Sequence, residues 1–335
     1  MDFEFPVLVG DIGGTNARFA IVKDAKSPAI PLDPVRLADF PSIEVALRDA
    51  VISRTSLVPR TMMLAIATPL VGSTYRLTNA DWVIDPAAMI AAFALERLVL
   101  MNDFAAQGLA ATALKGEHLA AIGRGRALDN HARVAIGPGT GLGIALILPV
   151  NGKWAVIPGE GGHIDLGPRT AEEVSIWEHL KKENGRMSAE NALSGRGLEN
   201  LYQAIVAWHG GTQTSLAASE ISARALSGND PAAREAAELF LTLLARVAGD
   251  MALLTLAHGG IYIAGGIASK MLPMIDHARF RANFEDKAPH QAILKSIPIN
   301  IITHPTAALE GLAAFVRDPD LFSLESAIRT FTPGS

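Results

Sequence analysis

With 335 residues the chain is long enough for two domains. Apolar residues make up 49% and charged residues 19%, so a large core is available, and a net charge of −5 without a basic block argues against a nucleic-acid surface. The absence of cysteine excludes disulfides, cysteine-ligated zinc and thiol catalysis. The N-terminus passes almost at once into a predicted strand, with no basic n-region or apolar h-region, and no apolar run has the length of a transmembrane helix. The expectation is a soluble cytoplasmic protein.

Residues 7–22 predict a strand, a tight turn at Gly13-Gly14 and a second strand. Consecutive backbone N–H groups in such a turn make an anion nest. Asp11 at its mouth would repel phosphate unless a cation lies between them, so the stretch reads as a phosphate loop with Asp11 facing Mg²⁺, directly or through water. The bland alternative is an ordinary hairpin. Residues 25–34 are a loop, and Ser42 N-caps a helix to Val51. Residues 61–67 form a continuous apolar strand covered on both faces, and 75–82 a short strand and loop. Asp85 caps a helix carrying Met89, Ile90 and Phe93 on its apolar side.

Residues 98–101 form the next strand, with Asn102 and Asp103 at its carboxyl end and a helix from about Phe104 to Leu114. In α/β folds ligands bind beyond the carboxyl ends of strands. Taken alone, however, Asp103 reads best as a plain helix cap. Residues 134–147 repeat the strand, glycine turn and strand, with Gly139, Thr140 and Gly141 in the turn. Two copies of one device suggest two related domains, each offering a phosphate loop to a shared cleft.

Gly159, Gly161 and Gly162 then surround Glu160 and His163, a turn stripped of other side chains and suited to closing on a ligand. Residues 171–184 predict a charged helix. Ser188 starts a short one with Glu190 in its first turn, where a carboxylate also suits the helix dipole. Residues 198–208 and 231–256 are helices, and 260–270 a strand, a turn at Gly265-Gly266 and a helix. That turn is either a plain connection or a close approach to a nucleotide base or ribose. A strand over 299–303, a helix over 307–316 and a polar tail with room for one further helical segment complete the chain.

Six motifs stand in order: Asp11-x-Gly-Gly-Thr-x-x-Arg18, Asn102-Asp103-Phe104, Gly137-x-Gly-Thr-Gly-Leu-Gly143, Gly159-Glu-Gly-Gly-His163, Ser188-Ala-Glu-x-x-Leu-Ser-Gly195 and Ala264-Gly-Gly266. From Val7 to about Val316 this resembles the bacterial glucokinases, hexokinase-like sugar kinases of the actin-like ATPase superfold. The resemblance implies an α/β fold of two actin-like ATPase-type domains with a cleft between them, a small domain of 1–113 plus 304–335 and a large one of 114–303. It implies ATP-dependent phosphorylation of glucose to glucose 6-phosphate, a glycolytic step, with Asp103 as general base and Asn102, Glu160, His163 and Glu190 on the sugar.

On the same resemblance, ATP would meet Gly10, Asp11, Ile12, Gly13, Gly14, Thr15 and Asn16 on one side. Gly139, Thr140 and Gly141 would meet it on the other, with Gly265 and Gly266 beside the adenosine. Mg²⁺ would lie near Asp11, and the partners would be glucose, ATP and a second copy of the chain, with no nucleic acid or membrane. Arg18 stays open between strand-end solvation and a structural ion pair. Two rivals remain to weigh. A sugar-responsive transcription regulator on a related fold needs a DNA-binding segment and typically a cysteine-rich zinc motif, and the sequence offers neither. A polyphosphate phosphatase is opposed by Glu160, His163 and Glu190, which argue for sugar; a kinase for another hexose stays open, because the set does not fix glucose.

Overall fold

The computed structural model describes residues 2–77, 81–212 and 214–334. In chain order the elements that position the functional residues are β1 (Val7–Ile12), β2 (Asn16–Val22), β3 (Thr61–Ile66), β4 (Arg97–Asn102), α1 (Asp103–Ala113), β5 (Arg133–Pro138), β6 (Leu142–Val150), β7 (Lys153–Gly159), α2 (Gly195–Trp208), α3 (Pro231–Thr255), β8 (Gly260–Ile263), α4 (Gly266–Lys270), β9 (Ile299–Ile302), α5 (Ala307–Arg317) and β10 (Ile328–Phe331). Contacts group the chain into two units: Met1–His118 with Ala145–Pro158 and His304–Ser335, and Leu119–Ile144 with Gly159–Thr303.

In the first unit β1 pairs antiparallel with β2 and parallel with β3, and β3 runs parallel to β4. All six residues of β3 are buried, as a central strand covered on both faces requires. One face carries an apolar cluster including Leu8, Phe19, Ile43, Met62, Leu64, Trp82, Met89 and Leu98. Against β1 and α1 lies α5. A Cβ on Gly311 would come within 2.5 Å of the Ala106 carbonyl oxygen, so α5 and α1 cross with their backbones nearly touching, and only glycine fits there. A Cβ on Gly108 would meet Val156 at 2.7 Å; the 145–158 hairpin packs on α1 and groups with this unit for that reason.

Two expectations for this unit change. The helix after Ser42 is regular only over Ile43–Ala46 before widening into a π turn over Leu47–Val51, although Ser42 Oγ does accept from the Val45 N–H. The tail makes a strand where a helical segment was expected. β10 pairs antiparallel with β4, Ile328 opposite Met101 and Phe331 opposite Leu98, and thereby satisfies backbone groups that β4 would otherwise leave open at the sheet edge. The loop expected over 78–80 lies outside the described residues.

In the second unit β5, β8 and β9 run parallel, and a short strand over Leu119–Ala121 pairs antiparallel with β9. The predicted helix over 171–184 stops at Trp177. Beyond it, Asn184 and Gly185 both take positive φ (50° and 77°) between Glu183 and Arg186, which exchange backbone hydrogen bonds. That Asn-Gly pair makes a type I′ hairpin turn, incompatible with a helix. The helix expected from Ser188 is also absent. Asn191 Oδ1 accepts from the Ser188 N–H and hydroxyl, holding a turn, and α2 begins only at Gly195, with Ser194 Oγ accepting from the Gly197 N–H. Glu190 therefore precedes the helix, and no helix dipole accounts for its presence. Helices over Ala218–Ser227, His277–Glu285 and Gln291–Ser296 were not predicted. No helix among the described residues is long and apolar enough to cross a membrane.

Candidate active site

The register of the first sheet brings two distant motifs to one edge. Ile12 pairs with Ile66, and Ile66 with Asn102, so β1, β3 and β4 end on one row. The 13–15 turn and the Asn102-Asp103 pair thus leave the same carboxyl edge of three parallel strands, two strand spacings or about 10 Å apart. Beside the turn a depression of about 680 Å³ is lined by Gly14, Thr15, Asp39, Phe40, Asp81 and Trp82 among others.

Gly13 donates its N–H to the Asn16 carbonyl at 3.0 Å and closes the hairpin turn with it. Asp11 is half-buried, and that burial pushes its carboxyl above the usual range; the Arg18 charge pulls it partly back. Arg18 stands directly opposite Asp11 in the β1–β2 ladder, which makes it an electrostatic partner of the carboxylate. Gly10 has a packing reason of its own, since a Cβ there would come within 2.7 Å of Leu64 and 2.8 Å of Phe19. Ile12 is fully buried, so its side chain is core.

At the head of α1 the cap is Asn102. Its Oδ1 accepts from the Phe104 and Ala105 N–H groups at 2.9 and 3.3 Å. Asp103 is the first helical residue, and its Oδ1 also receives the Phe104 N–H at 2.9 Å. The plain-cap role considered for Asp103 thus falls to its neighbour. The cap also orients the Asn102 carboxamide, with its oxygen toward the helix.

In the second unit the paired strands β5 and β8 both end in glycine turns, with Ile136 opposite Ile263 and the Ala264 N–H bonded to the Ile136 carbonyl at 2.8 Å. Gly265 has φ +90°, and a Cβ on it would lie 2.5 Å from the Pro138 carbonyl oxygen. In the 139–141 turn, Gly139 donates its N–H to the Gly141 carbonyl and accepts from the Gly195 N–H, both at 2.8 Å. Three glycine-bearing segments around 139, 195 and 265 are thereby drawn together within one unit.

Glu160 and His163 are exposed, Oε2 and Nε2 standing 3.7 Å apart. Residues 162–166 run antiparallel to 187–190: the Glu190 N–H bonds the Gly162 carbonyl at 2.8 Å, and the Ala189 N–H the Ile164 carbonyl at 2.9 Å. Arg186, which the sequence reading passed over, braces this turn. Its guanidinium donates to the His163 carbonyl at 3.1 Å and to Asp165. The Asn184-Gly185 hairpin signal was the clue to its placement. Glu190 is half-buried, and its Oε2 accepts from the Leu142 N–H at 2.9 Å. So Glu160, His163, Glu190 and the 139–141 turn form one connected constellation in the second unit, and Asp11, the 13–15 turn, Asn102 and Asp103 share one sheet edge in the first. No group of three or more metal-binding side chains occurs among the described residues.

A family model described as glucokinase matches residues 8–319. A glucokinase of Sinorhizobium medicae is 48% identical over 322 residues, covering 96% of this chain and 95% of that one. Among solved structures, a glucokinase from an Antarctic psychrotroph is 33% identical with a TM-score of 0.81, covering 93% of this chain and 99% of that one. A ROK-family glucokinase from Streptomyces griseus, solved with glucose and AMPPNP, shares the fold at a TM-score of 0.63 and 18% identity, covering 93% and 99%. The two sheets, their glycine turns and these matches make the fold α/β of the actin-like ATPase kind, and the chain belongs to the glucokinase family.

Proposed function

We propose that the chain phosphorylates glucose with ATP to give glucose 6-phosphate, with Asp103 as general base. The observation that carries this is the shared carboxyl edge of β1, β3 and β4, from which the 13–15 turn and Asn102-Asp103 both emerge. The family supports the substrates, and so do the glucose and AMPPNP bound to the Streptomyces griseus protein that shares the fold. A sugar hydroxyl is a poor nucleophile until it loses its proton, and a positioned carboxylate that accepts it contributes roughly 10²–10⁴ in rate. We assign that role to Asp103, which follows the end of β4 in the first turn of α1. With Asn102 Oδ1 spent on the cap, its amide nitrogen is the end offered to a sugar hydroxyl. Glu160, His163 and Glu190 read the remaining hydroxyls.

Phosphoryl transfer otherwise needs alignment and charge stabilisation. Gly13 and Gly139 use their own N–H groups to close their turns. Phosphate contact therefore falls to the groups that follow, at Gly14, Thr15 and Asn16 and at Thr140 and Gly141, with Gly265 and Gly266 beside the adenosine. Asp11 fits one Mg²⁺. Its carboxyl is raised by burial that Arg18 only partly offsets, a condition a cation relieves, and such sites commonly combine one or two carboxylates with substrate phosphates. When bound, the ion supplies screening of phosphate charge. We assign the work to two domains, corresponding to the two contact units described above, in a homodimer acting in the cytoplasm; sedimentation velocity tests the dimer.

The test of the reaction is ATP turnover with glucose, mannose, galactose and N-acetylmannosamine, and phosphate release from polyphosphate. Glucose should give the highest kcat/KM, and Asp103→Asn should lose about 10²–10⁴ in kcat while calorimetry still shows glucose binding. Preference for another hexose, polyphosphate cleavage, or near-normal turnover in Asp103→Asn would overturn the corresponding part.

A further inference from the structure

The carboxylate of Glu190 does two things that the sugar role alone does not require. Its Oε2 receives the Leu142 N–H at 2.9 Å, at the end of the 139–141 turn. It also occupies the space beside Gly141, where an added Cβ would lie 2.5 Å from that same oxygen. The backbone of Glu190 is tied in turn to the other sugar-side segment, through its N–H to the Gly162 carbonyl at 2.8 Å. Gly162 itself lies under the Leu142 carbonyl, which a Cβ would approach to 2.2 Å. Leu142, Gly162 and Glu190 therefore form a closed triangle of contacts; Gly162 must be glycine for its sides to meet, and a side chain at Gly141 would displace the Glu190 carboxylate.

We propose that Glu190 is a positioning residue that couples the sugar to the nucleotide, one carboxylate oxygen holding the phosphate turn while the other accepts from a sugar hydroxyl. This rests on the sugar-kinase reading above. A bound hydroxyl fixes the carboxylate; the fixed carboxylate holds the Leu142 N–H and, through it, the 139–141 turn in the shape that receives phosphate. Bound nucleotide, by restraining the turn, favours the carboxylate orientation that receives the sugar. Linkage makes the two effects equal in size. The arrangement also gives Gly141 a second reason to be glycine, unrelated to phosphate: a methyl group there would push the Glu190 carboxylate away.

The experiment is calorimetry of glucose and AMPPNP, each alone and each in the presence of the other. In the wild type, glucose should tighten AMPPNP by about fivefold or more, within the usual range for coupled sites. In Glu190→Ala that factor should fall to about one. Glu190→Gln keeps a carbonyl oxygen for the Leu142 N–H, so it should retain the factor at a weakened glucose affinity. His163→Ala should weaken glucose and leave the factor intact. Gly141→Ala, a change in the phosphate turn, should weaken glucose by about tenfold with no nucleotide present, roughly the effect of losing one hydrogen bond to a charged group. A wild type that binds no glucose overturns the sugar reading and the coupling together. Normal glucose affinity in Gly141→Ala, or full coupling in Glu190→Ala, overturns the coupling alone.

Discussion

Asn102 serves the fold as a helix cap and, on the function proposed above, the sugar as well. Its oxygen accepts two backbone N–H groups at the start of α1, and the cap is worth typically about 1 kcal/mol. Asn102→Asp keeps that acceptor and removes the amide donor. Its melting temperature should stay within a few degrees of wild type while glucose affinity falls; unchanged affinity would remove Asn102 from the sugar site. His163 is exposed and only 3.7 Å from an exposed glutamate, a setting that by itself suits a solvated residue. If it reads the sugar, His163→Ala leaves a hydroxyl unpaired at about 1–3 kcal/mol, and KM for glucose should rise roughly ten- to a hundredfold. Discrimination against mannose should shrink as well. Steady-state kinetics with both sugars decides it, since a solvated histidine would leave both KM values where they were.

At the scale of elements, Glu173 ties the start of the Ala171–Trp177 helix to α3. Thr170 Oγ1 accepts from the Glu173 N–H, and the Glu173 carboxylate accepts from the Arg169 N–H at 2.7 Å and from the Arg246 guanidinium at 2.8 Å. Both side chains of the ion pair are nearly inaccessible, at 7% and 10% exposure. Burial pushes the Glu173 carboxyl up, but the Arg246 and backbone hydrogen bonds outweigh it and leave the carboxyl below its ordinary value of 4.5. A carboxyl lowered on folding contributes stability that is complete above its unfolded value and is lost as pH falls through the folded one. The contribution should therefore be intact above about pH 4.5 and disappear below it. Glu173→Gln strands the Arg246 charge in the interior, a loss of about 3–5 kcal/mol, measurable by urea unfolding at neutral pH. The variant should also show a shallower loss of stability in acid. A change below about 0.5 kcal/mol, the size typical of surface substitutions, would mean the pair carries no weight.

For the molecule as a whole, the first unit is assembled from three separate stretches of chain. Leu309, Leu312, Phe315 and Val316 of α5 are buried, and Phe315 sits edge-on to Phe3 at 5.5 Å and to Phe322 at 5.7 Å. Burying four such side chains is worth roughly 6–12 kcal/mol, comparable with the entire stability of a domain. A fragment of residues 1–118 lacks α5, β10 and the hairpin on α1. It should show no cooperative thermal transition by circular dichroism, although it contains β1 to β4 and Asp103. A cooperative melt from that fragment would show the first sheet to be self-sufficient.

Sequence by itself determined the strands and turns to which the proposed chemistry is assigned. The apolar run of β3 marks a buried strand, glycine turns between apolar strands mark β1–β2 and β5–β6, and Asp85 and Ser42 mark helix starts, because each signal acts within a few residues. Order along the chain was enough to suggest the family. What only the tertiary structure decided is which backbone groups those residues serve. Asn102 rather than Asp103 became the cap; the polar tail became a strand because β4 had an open edge; and the 188–194 segment became a turn because Asn191 reached back to Ser188. Glu190 was legible as a candidate, but its bond to the Leu142 N–H was not. Hydrogen bonds of that kind join residues far apart in sequence, and no local propensity or period encodes them until packing has set the distance.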